Sequence, residues 1–259
     1  MGHVRLGRLP DTKPWRLVVA HIANGESVAV IAAGASAAAV RGLERGRFDR
    51  GVARVIFLLA RTALAARQAD FAAALTEIGI TVPDEPSLFD LTCGFTTALQ
   101  DWHATQPGLR SDLGEMATLA GAESIAACVG PRLATLFSTG GMVQNAVRDL
   151  ATLNGFAAFG HDYFARFLRR FLLYHLGREL SHHVGGCGRF ADSIAHTTFL
   201  HDLEIHCQQA AVIVRQFAGK WYSKARFEQG ITERQAHGFS AYCLKKLRDE
   251  LQHRGASHG

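Results

Sequence analysis

The segment Phe217-Ala-Gly-Lys220-Trp221-Tyr222-Ser-Lys224-Ala-Arg226-Phe227 alternates cations with aromatic rings. Lys220 and Lys224 stand one helical turn apart and share a face, with Arg226 beside them. Cationic groups neutralise phosphates while flat rings stack on exposed bases, so the mixture suits single-stranded nucleic acid. The same spacing also describes an amphipathic helix with Phe217, Trp221 and Phe227 turned to the core and its lysines solvated. A second cationic stripe, Arg47, Arg50, Arg54 and Arg61, has spacings of 3, 4 and 7, which place it on one helical face. Glu44 and Asp49 partly offset it, and a solvated outer face is its plainer reading. Lys220, Trp221, Lys224, Arg226 and these four arginines are the candidate contacts to RNA or single-stranded DNA.

Histidine chemistry concentrates between His175 and Asp202. His175, Glu179 and His182 fall within about 60° of one another on a helix. An antiparallel fold-back across Gly185-Gly186-Cys187-Gly188 would set His182 or His183 near His196, and His175 near His201 or Asp202. Imidazole and thiolate are ligands that zinc prefers. The spacing matches no compact zinc signature, however, and Glu179-x-x-His182 lacks the second copy of a di-iron bundle. Buried hydrogen-bonded or surface histidines are the expectation, with no metal and no cofactor.

Arg248-Asp249-Glu-Leu-Gln-His253 resembles the motif of the HEPN ribonucleases, helical bundles that often act as dimers. Arg178-Glu-Leu-Ser-His182-His183 repeats the Arg178/His183 spacing but carries Glu where that family favours Asn, Asp or His. The resemblance covers only those residues. It implies, as an alternative, a metal-independent ribonuclease in which His253 or His183 assists proton transfer or orientation, while Arg248 or Arg178 holds phosphate. Arg248 and His253 equally fit the last turns of a terminal helix, where cations complement the dipole. No phosphate loop, dinucleotide fingerprint, Cys-x-x-Cys pair, Gly-x-Ser-x-Gly elbow or His-Glu-x-x-His helix is present. The leading expectation is therefore a non-enzymatic protein, one subunit of a bacterial-type cytoplasmic assembly acting on nucleic acid. A pure protein-interaction scaffold, or a homo-oligomer, is the third class.

Charge sharpens where such binding would sit. Residues 1–160 hold 14 basic and 14 acidic residues, whereas residues 161–259 hold 14 against 9, the whole +5 excess, with ten of the 13 histidines. Five scattered cysteines, an odd number, point to reduced thiols in a cytoplasm rather than a disulfide framework. The apolar run Val28–Val40 spans 13 residues, too short for a membrane. The polar Asn24–Ser27 separates it from Leu17–Ala23, against a signal-peptide outline. No membrane partner is expected.

The elements that must position these groups read as helices. Periodic apolar stretches dominate, and none of the six prolines lies after Pro131. Residues 17–23 fit a strand or a short helix. Helices are expected over 27–44 from a Ser27 cap, over 49–77, from Ser87 to about 103, and from Ser111 to before Gly130. Short ones follow at 131–137 and 141–153. An aromatic-rich helix covers 156–184, and glycines stop it. Asp192 opens another to about 229, weak at Gly219, and Thr232 with Gln235 resembles a capping box for the last. The fold class expected is all-α, a multi-helix bundle with a long aromatic-rich C-terminal part. A division into residues 1–153, Ala-rich and neutral, and 154–259, basic and aromatic, accompanies it.

Overall fold

The computed structural model describes residues 3–6, 12–106, 108–133, 140–186, 188–228 and 230–258. Among them the chain is an all-α multi-helix bundle, whose β-type contacts are the isolated bridges Val4–Ser111 and Val184–Phe190. Its helices are α1 (Lys13–Ala23), α2 (Val28–Ala38), α3 (Val40–Gly46), α4 (Arg50–Ala65), α5 (Phe71–Thr76) and α6 (Leu88–Thr105). There follow α7 (Asp112–Val129), α8 (Gly140–Leu150), α9 (Leu153–His182), α10 (Ser193–Glu228) and α11 (Glu233–His258).

Side chains set most of the starts. Ser27, Asp49, Ser111 and Asp192 each accept the backbone N–H three residues on, and Ser87/Asp90 and Thr232/Gln235 close reciprocal boxes. Each supplies an acceptor to N–H groups that a first turn leaves without an intrahelical partner. Gly185 and Gly186, at φ 79° and 58°, turn the chain after α9 in the left-handed region.

Several boundaries differ from the sequence reading. The helix expected over 27–44 breaks at Ala39, between α2 and α3. The one expected over 49–77 divides because Asp70 accepts the N–H of Ala73 and starts α5. Residues 17–23 are helical, in α1. The chain takes a 3-10 turn at Gly130–Arg132, and 134–137 of the short helix expected over 131–137 lie outside the described residues. Gly219 does not weaken α10, which runs unbroken. A Cβ there would strike the carbonyl oxygen of Leu153, so the glycine permits close packing against α9.

α9 and α10 pair antiparallel: Phe156 stacks on Tyr222, Gly160 faces Ala218, and Arg169 meets Glu204. α9 buries Phe156, Phe159, Tyr163, Phe164, Phe167 and Phe171. Each such ring stabilises the fold by roughly 1.5–3 kcal/mol relative to exposure. α7 covers another side of α9, while α11 crosses α2 and α4. α11 runs antiparallel to them, since Glu233 meets Arg54, Leu244 meets Gly46 and Gly255 meets Ala33. The apolar run beginning at Val28 is α2, packed against α1, α10 and α11 with Ile31, Ala32 and Ala35 fully buried. A helix apolar on most sides belongs inside a bundle. No helix among the described residues is long and apolar enough to cross a membrane.

Candidate nucleic-acid interface

Arg50 and Arg54 leave one side of α4 a turn apart, because Val52, Val55, Ile56 and Leu59 take the other side into the core. α11 crosses that edge and brings Arg234 and His237 from its first residues; α6 brings Trp102. Arg50, Ala53, Arg54, Trp102, Glu233, Arg234 and His237 line a cleft of about 260 Å³. The Arg50 guanidinium lies 6.0 Å from the centre of the Trp102 ring. Arg54 lies 4.9 Å over Phe57 and pairs with Glu233 at 2.6 Å, so this carboxylate is committed within the cleft. At its margin Phe48, 66% exposed, tilts against His237 with ring centres 6.5 Å apart. Planar guanidinium forks match phosphate oxygens, and an indole face accepts a stacked base.

No family model, curated protein or solved structure matches this chain.

Of the residues singled out in the sequence, Arg50 and Arg54 meet in the cleft. Arg47 follows α3, pairs with Glu44 at 2.7 Å and lies over the Phe48 ring. Arg61 lines a separate cleft of about 470 Å³ that also holds Asp70 and Glu77. On α10, Lys220, Lys224 and Arg226 are exposed. Trp221 is half-buried, stacked on Phe239 at 4.1 Å with Phe156 on another side. Its ring therefore serves the core, as Phe217 does against Phe239 and Tyr242. Phe227, by contrast, is 90% exposed.

The residues of the ribonuclease-like motifs stand elsewhere. Glu44 and Asp249 both bind the Arg248 guanidinium, and the hydrogen bond to Asp249 raises its pKa further. A cation shared between two carboxylates has little net charge to lend a phosphate. His253 and Arg178 are exposed, and His183 Nε2 lies 3.5 Å from Glu179. His175 packs edge-on against Phe171 and Tyr174, where burial pulls its pKa down to about 4. His196 packs on Phe190. Among the described residues, no three donors between 175 and 207 come together for one ion; Cys187 lies outside them. Burial pushes the thiols of Cys128 and Cys207 up to about 12, far from thiolate reactivity.

Sequence reasoning missed Trp102, Arg234 and His237. Arg234 and His237 carry a faint signal, a one-turn spacing at a helix start. Trp102 carries none, since only the packing of both α6 and α11 on α4 brings the three together.

Proposed function

We propose that this protein is a nucleic-acid-associated subunit that takes single-stranded RNA or DNA into the cleft of Arg50, Arg54, Trp102, Arg234 and His237. The observation that carries this reading is the convergence of cations from α4 and α11 on the indole of α6. Arginines on the two walls neutralise successive phosphates, and a splayed base stacks on Trp102; a base inside a duplex cannot reach that ring. The exposed Lys220, Lys224 and Arg226 extend the strand's path. These groups hold a polyanion, and the function read from them is binding rather than turnover.

Anisotropy of labelled single-stranded RNA, single-stranded DNA and duplex, each at about 50 and 200 mM salt, tests the reading. Single strands should bind better than duplex and lose affinity steeply with salt. Trp102→Ala should weaken single-strand binding by about 1–3 kcal/mol. Salt-insensitive binding, or equal affinity of wild type and Trp102→Ala for single strands, defeats it. A nuclease-resistant protein complex that survives high salt would favour the scaffold instead.

A further inference from the structure

We propose that His3, Asp112 and Glu115 form a site for one divalent cation of the zinc class. The three side chains are half-buried, and one donor atom from each lies within 4.8 Å of the other two. They come from two separate stretches of chain. Val4 donates its N–H to the carbonyl of Arg110, and Asp112 donates its N–H to the carbonyl of Val4, which docks residues 3–6 on the start of α7. His3 Nε2 then stands 2.6 Å from Asp112 Oδ1, and its Nδ1 3.9 Å from Glu115 Oε1.

The docked segment also orients the carboxylate. Asp112 Oδ2 accepts the Leu6 N–H at 2.8 Å and the Tyr174 hydroxyl at 3.1 Å, which leaves Oδ1 turned toward His3. Metal-bound carboxylates are held by such outer partners. Zinc binds nitrogen and oxygen donors at about 2.0–2.2 Å, so donors around one ion stand about 3–3.5 Å apart. Closing from separations of up to 4.8 Å to that spacing takes side-chain shifts on the order of 1 Å. One imidazole and two carboxylates make a donor set that zinc accepts, with a fourth position open. Arg110 pairs with Glu115 at 2.8 Å, so the carboxylates and this cation leave one negative charge facing a dication.

A second observation comes from His103. Its ring lies against Gly51 and Gly114, and both ring nitrogens are buried without a hydrogen-bond partner. An imidazole with no partner in the fold thus lies against Gly114, on the turn of α7 that carries Asp112 and Glu115. A bound ion would clamp residues 3–6 to α7.

The test uses the untagged full chain, stripped with EDTA, titrated with zinc chloride by calorimetry and with cobalt(II) by absorption. One equivalent should bind saturably, and His3→Ala and Glu115→Gln should each weaken it at least about tenfold. His253→Ala, which removes an exposed imidazole, should leave it unchanged. The cobalt spectrum of the wild-type chain reads the site without any substitution: four- or five-coordinate bands support it, and the bands of hexa-aquo cobalt overturn it. Absence of saturable binding, or wild-type affinity in both variants, overturns it as well.

Discussion

His175 occupies a position that only its neutral form tolerates. Its ring lies among Phe171, Tyr174 and the α9 core, and burial lowers its pKa to about 4. In the unfolded chain the same imidazole takes a proton near 6.5. Between those values the unfolded state binds more protons, so stability falls as pH drops from about 6.5 to about 4 and is unaffected above that window. The full loss is on the order of 3 kcal/mol. Urea midpoints at pH 7, 5.5 and 4.5 should therefore fall more steeply for wild type than for His175→Phe. His103, lowered first of all by burial, adds a slope of the same sign that the variant keeps. Parallel losses in both proteins would contradict the assignment. Two glycines make a second residue-scale contrast. Gly219→Ala drives a methyl into the Leu153 carbonyl and should cost about 1–3 kcal/mol. Gly238→Ala, on α11 with open space around it, should gain about 0.5–1 kcal/mol. A Gly219→Ala melt unchanged or raised, like that of Gly238→Ala, would deny the close α9–α10 contact.

At the scale of elements, starts were more legible than stops or junctions. Ser27, Ser87, Ser111, Asp192 and Thr232 all cap the helices their positions announce, because a cap is decided within three residues. The Ala39 break carries no such residue. Asp70 does, yet the apolar periodicity of 49–77 hides it. What pattern could not supply is register between distant helices. Leu244 against Gly46 and Gly255 against Ala33 fix how α11 lies on α2–α4, and the cleft exists only in that register. One junction is testable by itself. Asp49 Oδ1 accepts the Val52 N–H and starts α4, while its Oδ2 accepts the hydroxyl of Ser111, which in turn caps α7. Two helix starts thus share one carboxylate. Asp49→Ala should cost about 2 kcal/mol, against about 1 kcal/mol for Ser87→Ala, whose box serves α6 alone. Equal costs by chemical denaturation would mean that the link between the two caps contributes nothing.

Across the whole molecule, charge in sequence and charge in space differ. The +5 excess belongs to residues 161–259, yet Arg50 and Arg54 of the cleft come from the balanced part. Folding sets them beside Arg234 and His237, while other cations of the basic part are consumed internally. Arg248 is held by Glu44 and Asp249, and Arg254 by Glu250. A net count therefore overstates how much charge one surface can offer, and the salt dependence of binding measures the usable share. Each phosphate contact on a single strand contributes about 0.7 to the slope of log affinity against log salt. Arg50→Ala/Arg234→Ala should thus flatten that slope by about 1.4. Lys220→Ala/Lys224→Ala flattens it by a similar amount only if the strand runs on from the cleft across α10. The quadruple variant then loses the sum of the two. A slope unchanged by Arg50→Ala/Arg234→Ala, with Lys220→Ala/Lys224→Ala carrying all the loss, would move the binding surface to α10 and empty the cleft of its role.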